Sequence, residues 1–153
     1  MILSHPETER AINQLLIEAS GNDKSAYQFI CEFSIYLDQV NDALSGRKAS
    51  NHNLIALFAA TNILYSLPFY TRNAQSLQLP VLALFNELGD ALKWRNSPEG
   101  WKRQWSEISE ISMINIVIAV ANLTVGFTKS QEISISLKEL VWASAPKEGK
   151  SNG

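Results

Sequence analysis

Apolar side chains at Phe29, Phe33, Tyr36, Val40 and Leu44 recur every three or four residues. That spacing stacks them along one stripe of an α-helix; on a strand they would fall on both faces. The same period returns at Val81, Leu84, Phe85, Leu88 and Leu92, and again at Trp101, Trp105, Ile108, Ile111 and Ile118. With 46% apolar residues over 153 positions the chain has material for a real core. The pattern predicts a single compact all-α domain over residues 1–145, a bundle of five to six helices, followed by a disordered tail at 146–153.

Punctuation places the boundaries. Pro6 suits a first helical turn, and Gly21-Asn22-Asp23 stops that helix. Asp23 or Ser25 caps the second, which Gly46 ends, with Arg47-Lys48 at its negative end. The third runs from about Asn51 to Leu67 and is apolar almost all round, the mark of a central helix. Ser66-Leu67-Pro68 breaks it. A fourth starts near Leu79-Pro80 and reaches Trp94; a fifth, also central, runs from about Pro98 to Val125, where Gly126 ends it. Ile133, Leu137, Leu140 and Val141 fit a sixth helix, although Ile133-Ser134-Ile135-Ser136-Leu137 also reads as a strand.

Charge narrows the function classes. Thirteen basic and fifteen acidic residues leave a net charge of −2, which disfavours a nucleic-acid partner held by bulk charge. One cysteine excludes a disulfide framework and a cysteine-built metal centre within one chain, and two histidines exclude a three-histidine site. Cys31 reads as a buried structural thiol, His52 as an exposed residue at a helix start, and His5 as part of a frayed end. The window from Ile111 to Val125 is shorter than the ~20 residues of a membrane span. No secretory segment opens the chain, so the expected location is cytoplasmic, without a membrane partner.

Three groups of residues carry candidate chemistry. Asp38 and Asp42 are four apart, and Glu87 and Asp90 three apart, so each pair shares a helix face. Two such pairs from facing helices would hold Mg²⁺ through carboxylate oxygens; otherwise all four are solvated. The second group is Trp94, Arg95, Trp101, Lys102, Arg103 and Trp105, gathered around the turn Asn96 to Gly100. Tryptophans beside cations anchor protein interfaces, or else the indoles close the end of the core. The third is amides at apolar positions, Asn62, Asn115 and Asn122, with Thr61. These would bond between helices or line a small polar pocket.

Asn86-Glu87-Leu88-Gly89-Asp90 resembles the second acidic motif of the all-α nucleotide pyrophosphohydrolases of the MazG type. That family's upstream glutamates at i, i+3 are absent here, so Asp38 and Asp42 would have to replace them. The resemblance implies a Mg²⁺-dependent hydrolase of nucleotides or other phosphate esters, with Lys93 or Arg95 on phosphate. Over residues 27 to 127, the order of Tyr36-Leu37-Asp38, Leu67-Pro68-Phe69-Tyr70, Asn73, Leu79-Pro80 and Asn115 to Gly126 resembles small all-helical proteins of unknown function found in bacterial and phage genomes. That second resemblance implies an all-α fold and supplies no catalytic residue. The leading expectation is a non-enzymatic helical protein that works through protein contacts or homo-oligomerisation, because charged residues are only 18%. The hydrolase is the alternative, and a ligand pocket near Asn62 and Asn115 a third reading.

Overall fold

Gly21 (φ 57°) and Asn22 (φ 64°) both take the left-handed backbone that ends one helix and turns the chain into the next. They separate α1 (Pro6–Ala19) from α2 (Lys24–Leu44) in the computed structural model, which describes residues 6–44, 51–109 and 112–144, side chains at 44, 51–53 and 144 excepted. Asp23 then caps α2. Its Oδ1 accepts the Ser25 hydroxyl at 2.6 Å and the backbone N–H of Ser25 at 2.8 Å. These bonds, the Ser25 hydroxyl first, hold the Asp23 carboxyl below its usual value, and the guanidinium of Arg72 adds to the effect. Arg72 reaches Asp23 Oδ2 at 3.0 Å.

Beyond α2 come α3 (Asn51–Ser66) and α4 (Pro68–Trp94), which meet at 90° around Leu67. Leu67 is extended (φ −60°, ψ 139°), and Pro68 sits in the first turn of α4, where its missing N–H costs nothing. The chain continues through α5 (Gly100–Ser109), α6 (Met113–Thr124) and α7 (Phe127–Ser144). Gly126 (φ 83°) makes the turn between the last two, and its N–H donates to the Ala121 carbonyl at 3.2 Å.

The core is built around α6, whose Ile116, Val120 and Ala121 are fully buried. It packs against α1, α2, α4 and α7. The stripe on α2 supplies the aromatic half of the core. Phe29 lies 5.6 Å from Phe33 and 5.8 Å from Phe69, and Tyr36 meets Phe85 edge-on. Val81, Leu84 and Leu88 close it from α4, and Ile133 and Leu137 from α7.

Several expectations are corrected. The described residues form seven helices, not five or six, and no strand, so Ile133 to Leu137 are helical. The fourth helix starts at Pro68 rather than near Leu79, because one proline both ends α3 and opens α4. It also carries Pro80 inside and a non-helical residue at Asn73, whose side-chain N–H takes the Phe69 carbonyl at 2.9 Å. The single helix expected from Pro98 to Val125 is two, α5 and α6. Ser112 N–H folds back on the Ser109 carbonyl between them. Nor is α3 central: among the described residues it packs on α2 and α4 alone, and most of its described side chains are exposed or half-buried. The tail, Gly46-Arg47-Lys48, His5 and the His52 side chain lie outside the described residues. Among the described residues no single helix is long and apolar enough to cross a membrane.

Candidate functional site

A helix without charge has to bury its sides against something, and α3 contains no Asp, Glu, Lys or Arg. Only Leu64 of its described side chains is buried; Leu57, Ala60, Thr61 and Tyr65 are half-buried against the bundle. Ile55, Phe58, Ala59, Asn62 and Ile63, spaced three and four apart, form one stripe on the opposite side. Along it Ile55 is 67% exposed, Phe58 71% and Ile63 58%. The Asn62 amide donates to the Phe58 carbonyl at 3.1 Å rather than into the bundle. On α4, Leu79 and Leu82 are exposed as well.

The tryptophan turn has a different character. The Trp94 and Trp101 rings meet edge-on at 5.5 Å, so Trp94 packs across the hairpin. Trp101 Nε1–H donates to Glu99 Oε2 at 3.0 Å, and Lys102 pairs with Glu99 while lying 5.3 Å from the Trp101 ring centroid. Lys102 first, with the Trp101 N–H assisting, holds the Glu99 carboxyl below its usual value. Arg103 donates to the carbonyls of Ser97, at 2.7 Å, and Pro98. Lys102 and Arg103 are therefore occupied in closing their own turn. Trp101 and Trp105 do not close the end of the core as expected; with Ile108 they form an exposed stripe on α5.

That stripe borders a groove of about 740 Å³ between α4, α5, α6 and α7. Trp105 and Ile108 face it from α5, Ile114 and Asn115 from α6, and Trp142 from α7. Glu87 of α4 and Lys138 and Glu139 of α7 supply its charge.

The four carboxylates of the magnesium reading differ in exposure. Asp38 and Asp90 are exposed, Asp42 is half-buried, and Glu87 is half-buried against the groove. Among the described residues no three histidine, cysteine or carboxylate side chains gather as a metal-holding group. The amides Asn62, Asn115 and Asn122 are exposed rather than interior, yet Asn122 Oδ1 accepts the Ser130 hydroxyl at 2.7 Å, a bond between α6 and α7, and Asn115 lines the groove. Among the described residues the buried polar side chains are serines, Ser20, Ser106, Ser109, Ser112 and Ser130. Ser106 Oγ donates to the Ala91 carbonyl at 2.8 Å, tying α5 to α4. The Thr61 hydroxyl meets the Leu57 carbonyl of its own helix at 2.8 Å and the Tyr36 hydroxyl of α2 at 3.3 Å. Cys31 is half-buried beside the Tyr27 hydroxyl.

Sequence reasoning passed over the outer stripe of α3, since an all-round apolar pattern looks the same whether a helix is central or bare on one side. It also passed over Trp142, Lys138 and Glu139, whose neighbours in the groove lie far away along the chain. No protein-family model, no curated protein and no solved structure matches this chain.

Proposed function

We propose that this chain works as a self-associating helical protein, with the outer face of α3 as its contact surface. The observation that carries the reading is the stripe of Ile55, Phe58 and Ile63, each more than half exposed on a helix without charge. A contiguous apolar face of this kind on a folded chain marks an interaction site. A second copy fits it for an electrostatic reason. Two such stripes meet without bringing like charges together or burying an unpaired ion. A two-fold pairing also lets one stripe serve as both halves of the contact. The modest net charge of −2 adds little repulsion between copies.

Cross-linking tests this directly. In a Cys31→Ser background, Ala59→Cys places a thiol in the middle of the stripe, while Gln131→Cys places one on the exposed side of α7. A short bis-maleimide should convert the Ala59→Cys chain to a covalent dimer and leave the Gln131→Cys chain monomeric. Equal yields for both, or none for Ala59→Cys, would overturn the reading.

A further inference from the structure

The groove between α4, α5, α6 and α7 has its own chemistry, separate from the α3 face. Its volume of about 740 Å³ lies in the range of small-molecule sites, roughly 300–1,000 Å³. Its walls are mostly apolar, with the indoles of Trp105 and Trp142 contributed by different helices and Ile108 and Ile114 beside them. Both indoles are more than half exposed, so their ring faces are available to a ligand.

The charged groups decide what the ligand is. Among the described residues, Glu87 and Glu139 bring two carboxylates to the groove against the single ammonium of Lys138. Among the described residues no ion pair joins either glutamate to Lys138. Glu87 is half-buried, so its charge is only partly satisfied by water. A second polar group lies in the same wall. Ser112 is 6% exposed, and its hydroxyl has no hydrogen-bond partner although it heads α6, where a serine ordinarily caps. A buried hydroxyl left this way calls for a partner, and a polar group of a ligand in the groove can supply one.

We infer that this groove binds a hydrophobic organic cation, an amine or quaternary ammonium carrying an apolar body. The indole faces attract the cationic head through their quadrupoles. Glu87 and Glu139 neutralise its charge, and Ile108 and Ile114 take the apolar body. A metal ion is a poorer match, since the groove offers two carboxylates and an aromatic wall rather than converging oxygen ligands.

The test uses phenyltrimethylammonium as the probe and benzenesulfonate as an anion of similar size. Indole N–H resonances of the full chain are followed by NMR, assigned through single Trp→Phe variants. The cation should shift the Trp105 and Trp142 resonances in a saturable way and leave Trp94 and Trp101 in place. Benzenesulfonate should shift none of them. Glu87→Gln should weaken the cation about fivefold, and Trp142→Ala about tenfold, each equivalent to about 1–1.4 kcal/mol. Equal binding of the two probes, shifts at Trp101 instead of Trp142, or no saturable shift would overturn the inference. The Phe58→Glu chain, altered on the far α3 face, should bind the cation unchanged, so loss of self-association and loss of this site are read separately.

Discussion

At the scale of single residues, one polar contact near the α1–α2 turn holds distant parts of the chain. The Thr124 hydroxyl donates to the Ala19 carbonyl at 2.6 Å across 105 residues, satisfying a helix-end acceptor that α1 cannot satisfy itself. Thr124→Val keeps the shape and removes the donor, and should cost about 1–2 kcal/mol in a denaturant titration, because Ala19 is fully buried. Gly21 lies in the same corner; a Cβ there would stand 3.1 Å from both Thr124 and Val125 on a left-handed backbone, so Gly21→Ala should also destabilise. Asp23→Ala removes the cap of α2 and should cost about 1 kcal/mol. Its pH dependence has a definite sign. The folded carboxyl titrates below its unfolded value, so its contribution is complete above the unfolded value of about 3.9. It is lost as pH falls through the lower folded value. The stability gap between wild type and Asp23→Ala should therefore be constant near neutrality and shrink only in acid. The Asp23 cap was legible in sequence, since capping is local chemistry over three residues. The Thr124 contact was not, because nothing local distinguishes it from any other threonine near a helix end.

At the scale of elements, the strongest periodicities gave the right result. The α2 stripe of Phe29, Phe33, Tyr36 and Val40 is buried throughout, as are Val81, Leu84 and Leu88 on α4. What failed was the reading of proline and of continuity. Pro68 reads as a stop and is also a start; the Trp101–Ile118 spacing reads as one helix, yet α5 ends at Ser109 and α6 begins at Met113 with no glycine or proline in the sequence between them. Pro80 inside α4 leaves the Ser76 carbonyl without its i+4 donor. Pro80→Ala restores that donor and should stabilise the chain by about 1–3 kcal/mol, visible as a raised unfolding midpoint.

At the scale of the whole molecule, the chain distributes its apolar residues between one interior and two outer features. α6 and α2 build the interior; α3 turns an apolar stripe outward; α5, α6 and α7 frame the tryptophan-walled groove. Composition could not divide these, since the same 46% apolar content serves a larger core or a bare face equally well. Trp105, Glu87 and Asn115 were legible as candidate residues, but their meeting with Trp142 depends on tertiary packing that no single-sequence period encodes. Self-association through α3 is the central claim. Sedimentation equilibrium over a wide concentration range, on wild type and Phe58→Glu, tests it most directly. Wild type should approach twice the 17.0 kDa chain mass at high concentration and fall toward 17.0 kDa on dilution, while Phe58→Glu stays at 17.0 kDa throughout. A wild-type chain that remains at 17.0 kDa at every concentration, or a Phe58→Glu chain that still associates, would contradict the account.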